Sequence, residues 1–430
     1  MDLNQIINKK NNKEKLTTEE IEYFVNGFSK DEIDKSQATK FIKAVYENGL
    51  DEKETIDLTR AMAYSGKIID LSDVGECVDK HSTGGVSDTT TLIIVPVLAS
   101  LGVKVAKMSG RSLGWTGGTA DKVEIFDGYD NYISEQEFKQ NLREINECLI
   151  SQSEEIAIAD KKIYKLRDET GYVDNISLIA SSIMSKKIAC GAKVLCLDVK
   201  YGNGAFMKDF DSALKLAKLM CKIGKSFGIK TSAVISNMNE PLSRYIGNNL
   251  EVYSALKVLN GEENNLSILS KNIVATILKS MNKVENLEQG IDLATNSIKS
   301  KSALEKFKKL ISSQHGSVYK VENYEVLNKC KNTLSIYAES EGYISKVNAK
   351  ELGNAVHDLC KLYDEKEDKN QCGLVLNKQK NDYIKAGELL ATIHYSTKKD
   401  LLEIVNKIKN CFTITEKKGE NFELIKEIIF

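Results

Sequence analysis

Residues 78–124 read VDKHSTGGVSDTTTLIIVPVLASLGVKVAKMSGRSLGWTGGTADKVE, and the order of apolar and small residues in this stretch decides the fold. Two Gly/Ser/Thr-rich turns, 80–85 and 109–119, bracket an apolar run and a short second strand. Residues 76–79 have a strand pattern, 90–101 is nearly all apolar and reads as a buried helix, and 104–108 is the second strand. Strands alternating with helices imply a layered α/β architecture with a mainly parallel sheet. Ligands of such sheets sit beyond the carboxyl ends of the strands, where both turns fall. The turns expose backbone N–H groups, and a following helix adds partial positive charge, so each suits an anion. Two in one unit suggest a site that grips phosphate from two sides.

Towards the N-terminus, 1–65 reads as helices. Thr17-Thr18-Glu19-Glu20 places a cap before Ile21, Phe24 and Val25, and 36–48 and 51–64 repeat an amphipathic pattern. Towards the C-terminus, helices are predicted at 161–167 and 176–189, with Gly191 as the stop. A buried strand at 193–199, a helix at 208–226 and a strand at 231–236 follow, then helices at 246–259, 266–281, 286–298 and 302–313. From about 330 the pattern turns β-rich, with strands at 333–338, 342–345, 373–376, 383–385 and 389–394. The expected fold is α/β with a separate all-α domain and a mainly parallel mixed sheet flanked by helices. A C-terminal α+β domain of barrel-sandwich look completes it.

A chain of 430 residues has room for two or three domains. Lys+Arg 60 against Asp+Glu 61 gives a net charge of −1, which offers no basic excess for nucleic acid. No apolar run approaches the ~20 residues that span a bilayer, and the first residues lack the apolar core of a signal peptide. Nine cysteines with no C-x-x-C pair read as reduced thiols, so a cytoplasmic location is expected. The four histidines show no ligand spacing, so no transition-metal site is expected.

Lys80, Ser82, Thr91, Lys107, Ser109 and Thr119 all lie in or beside the two turns. Ammonium groups, hydroxyls and backbone N–H groups together match an oxyanion such as inorganic phosphate. There is neither a G-x-G-x-x-G dinucleotide fingerprint nor a G-x-x-x-x-G-K-[ST] loop. A second cluster, Tyr164, Arg167, Ser182 and Lys186, lies on the predicted helices. Ser182 and Lys186 share a face at i, i+4. The alternative for Lys186-Lys187 is two solvated lysines, but the Ala/Ser-rich flank makes this helix mostly buried, where a lysine needs a partner.

The run from Ser109-Gly110-Arg111 through Trp115-Thr116-Gly117-Gly118-Thr119 to Asp121-Lys122-Val123-Glu124 closely resembles the signature of thymidine and pyrimidine-nucleoside phosphorylases. Val78-Asp79-Lys80-His81-Ser82-Thr83-Gly84-Gly85-Val86, Tyr164-x-Leu166-Arg167-Asp168, Ser181-Ser182-Ile183-Met184-Ser185-Lys186-Lys187 and Asp198-Val199-Lys200 match as well. The resemblance runs from the N-terminal helices to Gly387-Glu388-Leu389-Leu390-Ala391-Thr392-Ile393-His394. It implies reversible phosphorolysis of a pyrimidine nucleoside to free base and pentose 1-phosphate. It implies a homodimer with no organic cofactor and inorganic phosphate as co-substrate, acting on small molecules rather than nucleic acid or membrane. It further implies a discontinuous helical domain (1–66 and 158–190), an α/β phosphate-binding domain (67–157 and 191–330) and a C-terminal α+β domain (331–430).

Carried over by motif, Lys80, Ser82, Thr91, Lys107, Ser109 and Thr119 would hold phosphate. Tyr164, Arg167, Ser182, Lys186 and His81 would surround the pyrimidine, with His81, Arg167 and Lys186 catalytic. Lys at 107 points to a broad specificity that includes uridine, since thymidine-restricted members tend to carry an apolar residue there. Ser87 and Ser112 stand where the family usually has Gly, Trp115 where it has His, and Ser177 where it has Pro. Broad-specificity members also bind a monovalent cation such as potassium. The matching ligands are the Ser87 and Leu242 carbonyls, Thr89 and a downstream acid, but Ser254 stands where that acid is expected, which counts against the ion. A nucleotide phosphorylase or phosphoribosyltransferase of the same fold, or a catalytically impaired nucleoside-binding member, are the alternatives. The first would need a third basic turn for a 5′-phosphate.

Overall fold

The computed structural model describes residues 1–111, 117–363, 368–397, 399–421 and 423–430. Four helices begin the chain, α1 (Leu3–Asn11), α2 (Thr18–Ser29), α3 (Lys35–Asn48) and α4 (Glu52–Ala63). Capping boxes open three of them: Thr17 with Glu20, Asp34 with Gln37 and Asp51 with Glu54. Each box satisfies two N–H groups that the first turn leaves unbonded. Phe24 stacks on Phe41 at 3.8 Å between ring centroids. The same core takes Ile163, Leu166 and Leu178 from α8 (Ile158–Thr170) and α9 (Ile176–Ala189), so segments far apart in sequence share one helical unit. Ser177, in place of a proline, donates to the Leu50 carbonyl at 3.1 Å and fastens α9 to it.

Five parallel strands follow: β1 (Cys77–Ser82), β2 (Lys104–Ser109), β3 (Glu147–Ser151), β4 (Val194–Tyr201) and β5 (Lys230–Asn237). The nearly all-apolar α5 (Thr90–Ser100) connects β1 to β2 and is buried almost throughout. Short α6 (Thr119–Val123) and α7 (Glu135–Glu144) lead to β3, and α10 (Phe210–Ser226) connects β4 to β5. The two-residue β6 (Tyr245–Ile246) precedes α11 (Asn248–Leu259), α12 (Asn265–Ser280), α13 (Leu287–Lys299) and α14 (Ser302–Ser313). These helices pack with α5 on one sheet face, while α9 and α10 cover the other. Sequence pattern did not mark α7 or β3. Helix α7 buries only Phe138, Asn141 and Leu142, and β3 opens on a fully buried Glu147.

After α15 (Tyr319–Glu322), the C-terminal part holds β7 (Asn332–Tyr337), β8 (Gly342–Val347), α16 (Ala349–Lys361), β9 (Gly373–Leu376), β10 (Tyr383–Ile384), β11 (Leu389–Tyr395), α17 (Leu402–Lys409) and β12 (Phe412–Thr415). They form two antiparallel sheets, β10-β8-β12 and β6-β9-β11-β7, over one core. Strand β6, from the α/β stretch, thus joins the C-terminal sheet. Conversely β13 (Ile425–Ile429) leaves the 331–430 segment and pairs antiparallel with β5, completing the order β13-β5-β4-β1-β2-β3. Every cysteine is a free thiol, and none of the described helices is long and apolar enough to cross a membrane.

Candidate functional site

Strand β1 sends alternate side chains to opposite faces. Val78 joins the core on the α5 side, and Cys77 the one that holds Ala189 and Cys190 beside α9. Lys80 follows Val78 and is 1% exposed. Its Nζ donates to Thr90 Oγ1 at 2.6 Å and lies 3.4 Å from Asp198 Oδ2. Lys200, fully buried, sits 2.9 Å from Asp198 and 3.7 Å from Asp88. Asp88 accepts from the hydroxyls of Ser82 (2.5 Å) and Thr90 (2.6 Å). Burial alone would push the Asp88 carboxyl up, but Lys200 and Lys80 outweigh it and hold the group well below the usual carboxylate range.

Asp79 turns to the other face. Its Oδ2 accepts from Lys187 of α9 at 2.8 Å, and its Oδ1 lies 3.7 Å from Lys107 of β2. Both ammonium groups also donate to the Met108 carbonyl. Burial, then the neighbouring Lys187, lowers the Lys107 amine to about 7, against the pull of Asp79. Four lysines (80, 107, 187, 200) thus face three aspartates (79, 88, 198), an excess of one positive charge with every group ionised. Ser109 Oγ is buried there without a hydrogen-bond partner among the described residues. Thr91 is buried in the first turn of α5, and half-buried Thr119 opens α6. The Ala120 N–H donates to the Gly110 carbonyl at 3.3 Å and closes the second turn. Ser112 and Trp115 lie outside the described residues.

His81 joins the two clusters. Burial, then Lys187, Lys107, Lys186 and Lys80 in that order, hold its imidazole well below the ordinary histidine value. It is therefore neutral near pH 7 and donates only through one ring N–H. Lys186, one residue before Lys187, is turned about 100° around the helix and pairs with buried Asp160 at 2.7 Å. Its Nζ sits 5.8 Å from the centre of the Tyr164 ring, which the Arg167 guanidinium also approaches, at 5.9 Å. Arg167, 1% exposed, donates to the carbonyls of Tyr172, Val173 and Leu178 and to Ser182 Oγ. A guanidinium has five N–H donors, so one Nη2 N–H is left.

Of the sequence-predicted residues, Lys80, His81, Ser82, Lys107 and Ser109 lie on β1 and β2, Tyr164, Arg167, Ser182 and Lys186 on α8 and α9, and Thr91 and Thr119 in the first turns of α5 and α6, with differences from the expected roles. Ser82 spends its hydroxyl proton on Asp88. Lys187, read as a candidate solvated lysine, is buried in the cradle. Asp79, Asp160 and Asp198 were missed as partners. The only signal was the i, i+2 spacing of Asp198 and Lys200, which puts both on one strand face.

At the cation positions Ser87 has φ +61°, the left-handed region that the usual glycine suits. Its Oγ bonds Ser243 Oγ at 2.7 Å and donates to the Tyr245 carbonyl at 2.6 Å, and the Leu242 N–H donates to the Val86 carbonyl. Thr89 Oγ1 and Ser254 Oγ are buried without hydrogen-bond partners among the described residues. Between these segments Lys122 donates to the Asp88 carbonyl and pairs with Glu251, both at 2.7 Å. A cavity of about 810 Å³ between Lys230, Lys279 and Phe430 lies at the amino end of β5, away from the strand ends that carry the cluster.

Comparison with known proteins agrees along the length of the chain. Residues 4–66 match the helical bundle domain of a glycosyl transferase family, and 74–304 match its a/b domain. Residues 343–415 match the pyrimidine nucleoside phosphorylase C-terminal domain. A pyrimidine-nucleoside phosphorylase of Staphylococcus epidermidis is 43% identical over 428 residues, 99% of this chain and 98% of that protein. One from Staphylococcus aureus is 43% identical over 415 residues, 96% of each. Among solved structures, anthranilate phosphoribosyltransferase from Thermus thermophilus has the same fold, with a TM-score of 0.59 and 17% identity, over 73% of this chain and 99% of that one.

Proposed function

The chain belongs to the pyrimidine-nucleoside phosphorylase family, and on that premise we propose that it is a pentosyltransferase for the reversible phosphorolysis of pyrimidine nucleosides. Uridine, thymidine and deoxyuridine would yield the free base and (deoxy)ribose 1-phosphate. The observation that carries this reading is the Lys187–Asp79 contact at 2.8 Å, which brings α9, and with it the neighbouring Lys186, against the end of β1 that carries Lys80 and His81.

In this reading phosphate enters the positively charged cradle, held by Lys80, Lys107, Ser109, Thr91 and Thr119. Ser109 Oγ has no partner among the described residues and so has a hydroxyl proton to offer it. Ser82 contributes by holding Asp88 and orienting the 82–88 turn. Breaking the glycosidic bond leaves cationic character on the sugar and negative charge on the base. Phosphate lies against the first as nucleophile, a proximity effect. Lys186 and the remaining Arg167 N–H stabilise the second, a preorganised electrostatic role. Ser182 and Tyr164 line the base position. Neutral His81 donates a hydrogen bond to a ring carbonyl rather than transferring a proton from an imidazolium. The assay is phosphate-dependent release of uracil and thymine from their nucleosides by the purified protein, and no turnover with any pyrimidine nucleoside would refute the reading. Lys107→Met is expected to reduce kcat/KM for uridine more than for thymidine; an unchanged ratio removes Lys107 as the specificity residue.

A monovalent cation at Ser87, Thr89 and Leu242 is not part of this reading. Their oxygens are neutral, Ser254 adds no carboxylate, the Tyr245 carbonyl beside them accepts from Ser87, and Glu251 is engaged by the Lys122 ammonium. A buried cation without a free counter-charge next to an ammonium is unfavourable. Exchanging potassium for choline at constant ionic strength is expected to leave melting temperature and kcat unchanged. A several-fold rise in kcat with potassium would contradict this. A cytoplasmic homodimer completes the proposal.

A further inference from the structure

Asp79 takes no part in the roles above, yet it stands between two ammonium groups that reach the cradle from different elements. Lys107 comes from β2 and Lys187 from α9, and Asp79 is the carboxylate both approach, at 3.7 and 2.8 Å. Its Oδ1 is aimed by the Lys80 N–H, which donates to it at 2.7 Å. All three side chains are nearly fully buried, so water does little to screen them. Without Asp79 the two lysines would repel across a dry gap, with only the Met108 carbonyl between them.

We infer that Asp79 is a positioning residue of the anion cradle, whose single carboxylate holds Lys107 and Lys187 side by side and so sets the pH range over which the cradle takes a dianion. The groups around Lys107 are few. Strand β1 supplies Asp79, Lys80 and His81, and α9 supplies Lys187 and, at its end, Cys190. Strand β3 presents Leu149 opposite Lys107, and α5 has no titratable side chain. Cys190 is pushed up to about 12 by burial and His81 is held far below its ordinary value, so neither changes charge near neutrality. Lys107, lowered to about 7, is the one that does. It is charged below that pH and neutral above it, so anion affinity falls as pH rises.

The identity of the anion rests on the phosphorolysis reading, whereas the role of Asp79 does not. Sulfate is the probe, because it stays a dianion throughout while phosphate itself titrates near pH 7. Calorimetric titration of the whole enzyme with sulfate, from about pH 6 to about pH 9, is expected to show constant affinity below a break near 7 and up to about a tenfold loss per pH unit above it. Asp79→Asn removes the group that favours charged Lys107 and moves the break down by about one unit or more. Lys187→Met removes the neighbouring positive charge and moves it up. Opposite shifts from two adjacent variants are not produced by general loosening of the fold. Unmoved breaks, shifts in the same direction, or no sulfate binding by the unaltered enzyme would each overturn the inference. If Asp79→Asn does not fold, the Lys187→Met/Asp79→Asn double variant, which removes both partners of the 2.8 Å ion pair, takes its place and is expected to break at lower pH than Lys187→Met. Nucleoside turnover, measured separately, tells failure of this inference from failure of the phosphorolysis reading.

Discussion

Lys186→Ala is expected to lower kcat/KM for uridine phosphorolysis by about 100- to 1,000-fold, the usual loss when one preorganised donor to a developing anion is removed. The side chain is held for this role by Asp160 at 2.7 Å and lies over Tyr164. Only Oδ2 of Asp160 has a partner, and the residue is 1% exposed. Removing the ammonium therefore also strands a buried carboxylate. Such losses reach about 3–5 kcal/mol when both partners are buried. Here Lys186 is 27% exposed, so solvent reduces the cost and a smaller fall in melting temperature is expected. The two effects separate in the Lys186→Ala/Asp160→Asn double variant, which should regain stability and stay inactive. Activity within a few-fold of the unaltered enzyme in Lys186→Ala would remove Lys186 from the chemistry.

Lys200→Met is expected to give the largest loss of stability, of the order of 3–5 kcal/mol. Lys200 is fully buried and serves two carboxylates, Asp198 at 2.9 Å and Asp88 at 3.7 Å. Methionine fills a similar volume but leaves both acids facing Lys80 alone. The check is the thermal and urea midpoint of the variant, with Asp198→Asn added to relieve part of the excess negative charge. A midpoint equal to that of the unaltered protein would show that Lys80 suffices for both acids. The substitution also disorganises the acids that orient Lys80, so a rise in KM for phosphate should accompany the loss.

Several elements were legible because their signals are local. The helix predicted at 176–189 is α9, Ile176–Ala189, opened by the Asn175 cap and stopped where Gly191 takes φ +80°. Turns leave the carboxyl ends of β1 and β2, as strand–turn–helix order required. But β1 runs on to Ser82 and β2 to Ser109, so Lys80, His81, Ser82 and Ser109, expected in the turns at 80–85 and 109–119, end the strands instead. Helix α7, with few apolar residues, was not legible, and β13 became a strand only by pairing with β5. Helix α16 was also left unread, although Ala349, Leu352, Ala355, Val356 and Leu359 give it a buried face.

Among site residues, Lys80, His81, Lys107, Ser109, Arg167, Ser182 and Lys186 were nameable from motif and residue type, but their partners were not. Lys187 meets Asp79 across 108 positions, and Lys186 meets Asp160 across 26. Consecutive residues on a helix point about 100° apart. One lysine therefore turns to the base cluster and the next to the anion cradle, which no reading of Lys-Lys as a pair would distinguish.

By itself the sequence determined the α/β class, the two glycine turns at the strand ends, the family and the residue types gathered at the candidate site. Those follow from local periodicity and from motifs whose spacing is written along the chain. The tertiary structure alone decided which aspartate holds which lysine, the neutrality of His81, the lowered Lys107 and the use of Ser82 on Asp88. The reason is physical. Burial and charge pairing depend on distances across the fold, and an ammonium taken out of water responds more to a carboxylate 3 Å away than to its neighbours along the chain.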